Sequence, residues 1–199
     1  MKKIIIVRHG QTNANLNGIT QGQVNSELNE KGISQAEKTG IYIRNNYSID
    51  EAWASDLSRT RKTASYITKE FSTSKLIREM SFGDWENHLF EDISKKNPKL
   101  VEQYSIGSDK FRAPNGETFE DMFLRGEKFL TNIDLNESNT CLIVSHGGFM
   151  RTLIPLIMGL PRKSMLNFQF DNCSISEFNF PKKDRVPILN KINYIDHLI

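Results

Sequence analysis

Two of the four histidines in this chain close short apolar runs and are followed at once by glycine: His9 in IIIVRHGQ and His146 in LIVSHGGF. Arg8 stands beside the first, and Arg59 lies in SDLSRTRKTA just after the run EAWAS. A neutral imidazole is a nucleophile at neutral pH, and a guanidinium offers a planar fork of donors that matches phosphoryl oxygens. Two imidazoles and two guanidiniums brought together would suit a small dianion such as a phosphate monoester. Residue chemistry alone leaves both histidines open as the nucleophile.

Each motif by itself has an ordinary structural explanation. A strand-end histidine can be a satisfied core residue, Arg8 can pair with a carboxylate, and glycines after strands form turns; it is their coincidence that points to a site. A zinc site of two histidines and a glutamate is disfavoured, because no HExxH spacing occurs and the neighbouring arginines would repel a dication. No metal and no cofactor is expected.

These side chains meet only if the runs before them are neighbouring strands of one sheet. Strand-like runs cover Lys2 to Val7, Glu51 to Ala54, Lys75 to Ile77, Thr140 to Val144, Asn167 to Phe170 and Ser174 to Phe180. Helical patterns alternate with them: Ile33, Ala36, Gly40 and Ile41 after a cap at Asn29, and Ala64, Ile67 and Phe71 after Ser58. A third begins at Thr118, where Asp121 three residues on makes a variant capping box. This alternation predicts a three-layer α/β/α domain over residues 1–199 with a doubly wound, mostly parallel sheet. In such sheets ligands sit beyond the carboxyl ends of the strands, which is where His9 and His146 would stand. Gly10, Gly147 and Gly148 would let the backbone turn and approach a ligand, with helix N–H groups aimed at the same place. Arg59, in the first turn of a helix, is badly placed for the macrodipole, and a bound phosphate would explain it.

Two segments depart from the pattern. Pro155 interrupts FMRTLIPLIM and predicts a kink near Thr152. Residues 87–115, with Pro98, Gly107 and Pro114, read as an excursion that forms a small cap.

Composition narrows the function further. Charged residues make up 25% of 199 and the formal net charge is +2, so no global field attracts nucleic acid or an anionic membrane. The basic clusters at Lys95 and Lys96 and at Lys182, Lys183 and Arg185 read as solvated turns. The apolar run after Lys2 and Lys3 lasts four residues, short of the roughly seven to fifteen of a signal core, and no run reaches the roughly twenty of a membrane span. Cys141 and Cys173 both sit in strand-like runs and read as small buried hydrophobes. A soluble, cytoplasmic protein is expected, acting on a small phosphorylated metabolite without nucleic-acid or membrane partners.

Five blocks occur in the order found in a known family: RHGQTNAN (Arg8 to Asn15), SDLSRTRKTA (Ser55 to Ala64), REMSFGDWE (Arg78 to Glu86), PNGETFEDMFLR (Pro114 to Arg125) and SHGG (Ser145 to Gly148). Through them the chain resembles the histidine phosphatase superfamily, also called phosphoglycerate mutase-like. The resemblance implies that His9 takes the phosphoryl group as a phosphohistidine, that Arg8, Arg59 and His146 contact its oxygens, and that Glu79 is the general acid. It also implies that Asn15, Gln21 and Gly22 line the phosphate or substrate pocket. Asp84 and Glu86 are rival acids, Trp85 is either a pocket wall or core, and Lys62 and Thr63 have a supporting or surface role.

REMSFGDWE and PNGETFEDMFLR look most like the blocks of the small broad-specificity and α-ribazole phosphatases, and the segment from Glu91 to Arg112 is compact where the mutases carry a longer, more basic insert. Asn87 departs from the WEG usual in the latter phosphatases. Phe90, Tyr104 and Phe111 would cap an uncharged or aromatic leaving group. The expected activity is therefore metal-independent phosphomonoester hydrolysis. Its alternatives are a cofactor-dependent phosphoglycerate mutase and a catalytically silent phospho-ligand binding module.

Overall fold

The computed structural model describes residues 2–133, 140–181 and 186–199; the basic cluster Lys182, Lys183 and Arg185 lies outside the described residues. Six strands form one sheet: β1 (Lys2–Arg8), β2 (Glu51–Ser55), β3 (Ser72–Ser74), β4 (Thr140–Ser145), β5 (Ile175–Phe180) and β6 (Ile188–Tyr194), in the order β3-β2-β4-β1-β5-β6. The first four run parallel to one another, whereas β5 and β6 pair antiparallel. The mostly parallel sheet expected from the alternation is present, with an antiparallel edge.

Ile4, Ile5, Ile6 and Val7 are all fully buried because helices cover both faces of the sheet. Successive side chains of a strand point to opposite faces, so a strand covered on both sides reads as an unbroken apolar run. Ile4, Ile6, Cys141 and Ile143 pack with Phe129, Phe149 and Leu153 from α6 (Phe119–Asn132) and α7 (Gly147–Met158). Ile5, Val7, Leu142 and Val144 face Ile43, Ala64 and Ile67 from α2 (Glu30–Asn46) and α3 (Ser58–Ile67). Each such isoleucine contributes about 1.5–3 kcal/mol by leaving water. Cys141 and Cys173 are free and buried, Cys141 within the first of these layers and Cys173 apart from them with Leu28 and Ala36, in a turn before β5 and not in the strand expected for it.

Two helices start at their cap signals, whereas α3 takes in Ser58 as its first residue and has Leu57 before it with no side-chain cap. Asn29 accepts a hydrogen bond from the Gly32 N–H at 2.8 Å, and Thr118 and Asp121 form the reciprocal capping box. The helix α7 runs unbroken through Pro155 to Gly159, so the kink expected near Thr152 does not end it; Pro155 is itself buried. A short α1 (Asn13–Leu16) follows β1, capped by Thr12.

Four expectations are corrected. Lys75–Ile77 is a 3-10 turn, and the strand lies just before it at β3, where Ser72 to Ser74 pair with β2. The Asn167 to Phe170 run is no strand: Asn167 ends a 3-10 segment (Arg162–Asn167) and the rest is irregular. Phe71 lies beyond α3, because the Thr68 N–H closes the helix on Ala64. Ile41 is exposed on α2, one residue past the buried Gly40.

Residues 87–115 contain α4 (Phe90–Lys96) and α5 (Pro98–Ser105). They pack over Met80, Trp85, Phe111, Ala113 and Met122, a small apolar cluster separate from the sheet layers. Trp85 thus belongs to the core beneath this excursion. Among the described residues no helix is long and apolar enough to cross a membrane.

Candidate active site

The register of β1 and β4 places Arg8 opposite Ser145, so the next residues, His9 and His146, emerge side by side at the carboxyl edge. The His9 N–H donates to the Ser145 carbonyl at 2.9 Å, which holds the two loop starts together. The ring centroids lie 5.2 Å apart at 62°. Both side chains are buried, at 2% and 0% exposure. The echo of two strands each ending in His-Gly therefore builds one cluster.

The His9 Nδ1 lies 2.8 Å from the Gly10 carbonyl oxygen. A carbonyl only accepts, so Nδ1 carries the hydrogen in the neutral ring and Nε2 keeps its lone pair. Burial, reinforced by the positive charges of Arg59 and Arg8, pushes the His9 pKa well below its usual value. Burial does the same to His146, helped by Arg59. Both rings are thus neutral near pH 7. Neither ring nitrogen of His146 has a hydrogen-bond partner among the described residues, an arrangement open to an oxygen-rich ligand.

The guanidiniums are fixed by loop carbonyls. Arg8 Nη1 donates to Phe170 at 2.6 Å, and Arg59 donates through Nη1 to Val24 at 2.8 Å and through Nη2 to Gly22 at 2.7 Å. Both Nε atoms are buried and unpartnered among the described residues, so the expected forks are partly occupied by protein and the Nε edges remain. Burial lowers the Arg59 pKa to about 10 and lowers that of Arg8, leaving both charged at neutral pH. Thr63, one turn beyond Arg59, accepts from the Gly10 N–H at 3.0 Å and ties α3 to the His9 loop. Lys62 instead lies over the Tyr66 ring.

Glu79 reaches the same edge from the opposite side of the sequence. Its Oε2 accepts from the Gly148 N–H at 2.9 Å and its Oε1 from Met80 at 3.0 Å. A Cβ on residue 148 would fall 2.4 Å from Oε1, so any larger residue there displaces the Glu79 carboxylate; neither Gly10, Gly147 nor Gly148 adopts a positive φ. The Glu79 backbone is held in turn by Gln23 and Arg125. Of the rival acids, Glu86 Oε1 accepts from the Gln23 and Phe82 N–H groups, and Asp84 accepts from Asn115. Both brace loops.

Asn15, Gln21 and Gly22 line a cavity of about 200 Å³ together with Arg8, His9, Arg59 and Glu79. The Gln21 Oε1 accepts from Thr12 and Ser26, while Gly22 combines a φ of +52° with a Cβ position occupied by Glu86. A second cavity of about 160 Å³ shares Arg8 and Glu79 with the first and adds Gly147, Gly148 and Arg151. Gly147 lies against Arg8, its Cβ position 3.1 Å from Nε. Phe90 and Tyr104 line the first cavity; Phe111 is fully buried in the cluster beneath and does not.

Three residues were missed from sequence. Asn172 donates to the His9 carbonyl at 3.0 Å and to Asn15 Oδ1 at 3.2 Å, locking the loop from 163 residues away. Phe82 lines both cavities, and its place within the acid block was its only signal. Arg151 lines the second, and its position after SHGG was the signal available. No group of three or more His, Cys, Asp or Glu that could hold a metal occurs among the described residues.

Residues 4–193 match the histidine phosphatase superfamily (branch 1). The chain is 34% identical over 181 residues to the "Probable phosphoglycerate mutase GpmB" of Erwinia tasmaniensis, covering 88% of this chain and 84% of that protein. It is 30% identical to the adenosylcobalamin/alpha-ribazole phosphatase of Salmonella typhimurium, covering 85% and 86%. Among solved structures, a mutant phosphoserine phosphatase of Entamoeba histolytica in complex with phosphoserine is 30% identical, with a TM-score of 0.86 and full coverage of both chains. That enzyme has also been solved with 3-phosphoglyceric acid. With a family match along nearly its whole length and with paired histidines at the edge of the expected fold, the chain belongs to the histidine phosphatase superfamily, branch 1.

Proposed function

We propose that this protein is a metal-independent phosphomonoesterase that hydrolyses small phosphate monoesters through a phosphohistidine on His9. The observation that carries the reading is the His9 ring itself: buried, neutral, and hydrogen-bonded through Nδ1 to Gly10 so that Nε2 holds a lone pair. Family membership and the phosphatase names of relatives support the hydrolase class.

In the first step His9 Nε2 forms a bond to phosphorus as the ester P–O bond breaks. Glu79 gives its proton to the leaving oxygen. In the second step the Glu79 carboxylate takes a proton from water, whose oxygen attacks phosphorus; the P–N bond breaks and inorganic phosphate leaves. Arg8, Arg59 and His146 hold the three equatorial oxygens throughout. The two guanidiniums are held by loop carbonyls before substrate arrives, so little reorganisation accompanies charge development. Asn15, Gln21, Gly22 and Gly147 shape the walls.

A second reading, phosphoglycerate mutase, is favoured by the name of the 34% identical relative. The two differ only in whether water or a phosphoglycerate receives the phosphoryl group. The deciding experiment measures phosphate release from a panel of monophosphates, with EDTA present, for wild type and His9→Ala. The panel includes 3-phosphoglycerate with its bisphosphate cofactor. Release by wild type and loss of at least about a thousandfold in His9→Ala are expected, with the variant's melting temperature close to wild type. Conversion to 2-phosphoglycerate without release would establish the mutase, and silence on every ester would leave a phospho-ligand binding module. Turnover by His9→Ala at the wild-type rate would exclude His9 as nucleophile.

A further inference from the structure

The two cavities at the site have four residues in common: Arg8, Glu79, Phe82 and Tyr104. With phosphorus held at His9 in the first cavity, the bridging oxygen of a bound ester lies at this junction, beside Glu79. Arg8 and Glu79 already have parts in the proposed reaction, and the Phe82 side chain carries no polar atom. Tyr104 brings a hydroxyl to the same place from α5 of the excursion that covers the site.

The Tyr104 ring is held firmly. It packs among Phe82, Phe111 and Phe119, with centroids 5.6, 5.1 and 5.7 Å away, and it is stacked on the last of these. A phenylalanine would fill the same space, so packing explains the ring and leaves the hydroxyl unexplained. Tyrosines elsewhere in the chain have partners: Tyr47 donates to Glu177 at 2.7 Å, and Lys191 donates to Tyr42 and Tyr47 at 3.0 and 2.8 Å. The Tyr104 hydroxyl makes no hydrogen bond among the described residues, although a tyrosine packed among apolar rings ordinarily finds one. The Glu79 oxygens beside it accept instead from the Gly148 and Met80 N–H groups. Burial, reinforced by the Glu79 charge, raises the Tyr104 pKa, so the hydroxyl keeps its hydrogen and can donate across the neutral range.

We propose that Tyr104 is a further catalytic residue, whose hydroxyl donates a hydrogen bond to the leaving oxygen beside Glu79 and stabilises the charge gathering there as the P–O bond breaks. The electron pair of that bond goes to the leaving oxygen, the proton that joins it comes from Glu79, and Tyr104 keeps its own. This rests on the phosphomonoesterase reading and adds a chemical role to the capping one expected from the ring. A donor fixed in advance by packing and shielded from water needs no reorganisation when the charge appears.

The test assays wild type and Tyr104→Phe on p-nitrophenyl phosphate, phenyl phosphate and glycerol 3-phosphate, whose leaving groups need progressively more stabilisation. In the variant, kcat on glycerol 3-phosphate should fall by about a hundredfold, as for loss of one oxyanion donor, with a smaller loss on phenyl phosphate and the smallest on p-nitrophenyl phosphate. The melting temperature should hold level or rise, because the deleted hydroxyl has no partner in the protein. In a Glu79→Gln background the substitution should still cost glycerol 3-phosphate turnover more than p-nitrophenyl phosphate turnover, since the oxygen then departs without a proton.

Equal losses on the three esters, no loss on any, or a raised KM with kcat unchanged would overturn the proposal. So would disappearance of the effect in the Glu79→Gln background, which would mean that the hydroxyl acts through the acid. Release from p-nitrophenyl phosphate by wild type in each of these cases leaves the phosphatase reading standing. Should wild type release phosphate from nothing yet interconvert phosphoglycerates, that reading fails alone and Tyr104 is judged on the interconversion: a kcat lowered about a hundredfold in Tyr104→Phe upholds it, and an unchanged kcat overturns it. Silence in both assays overturns both.

Discussion

The neutrality of His9 comes from its surroundings. A solvated imidazole is partly protonated near neutral pH, whereas this one is buried beside two guanidiniums that oppose any added proton. The same guanidiniums attract the substrate dianion, so one arrangement keeps the nucleophile available and assembles the reactants. Glu79 has a different task, and its removal should read differently. In Glu79→Gln, kcat for alkyl phosphates should fall by about 10²–10⁴-fold, with a much smaller loss for p-nitrophenyl phosphate, whose leaving group needs little protonation. Steady-state rates on both ester types check this; equal losses would count against a general acid. At this scale the sequence was informative about residue types and silent about partners: His9, Arg8 and Arg59 stood out, but the Gly10, Gly22 and Val24 carbonyls that orient them did not.

At the scale of elements, the site depends on how closely α7 approaches the loop after the 3-10 turn Lys75–Ile77. The start of α7 has no residue bulkier than glycine at positions 147 and 148, and a methyl group at 148 would overlap Glu79 Oε1. Gly148→Ala should therefore reproduce the Glu79→Gln pattern, with alkyl esters hit harder than p-nitrophenyl phosphate, while the helix itself gains up to about 1 kcal/mol of propensity. The same paired assay reads it out. The helix α6 supplies Arg125, which donates to the Leu76 and Arg78 carbonyls and so braces the acid loop. Its start relies on the Thr118–Asp121 box, and Thr118→Ala should destabilise the protein by about 1 kcal/mol in urea unfolding. The box was legible because capping is local. The edge strand β6 was not: Ile188 and Ile192 are exposed while Asn193 is half-buried, so it carries no apolar alternation toward the core.

For the whole molecule, burial of neutral histidines links folding to pH. The pKa values of His9, His146 and His197 are all lowered in the folded chain, the last to about 4, in each case chiefly by burial. Below the unfolded value of about 6.5 the unfolded chain binds more protons than the folded one. Their contribution to stability is thus complete above that pH and is lost progressively as pH falls from about 6.5 toward 4. Urea unfolding at pH 7.5, 6 and 4.5 should give a declining free energy, and a profile flat across that range would mean these rings are solvated. The layered core itself should change little, since the apolar side chains facing the sheet do not titrate.

The sequence by itself determined the buried parallel strands, the His-Gly ends that place chemistry at their carboxyl edge, and the helix starts, because hydrophobic periodicity and capping act over a few residues. Only the tertiary structure decided which atoms face the ligand. Strand register sets His9 beside His146, Asn172 reaches back across 163 residues to lock the His9 loop, and Arg151 enters the second cavity. Such contacts depend on chain segments far apart in sequence, and no local pattern records which of them will meet.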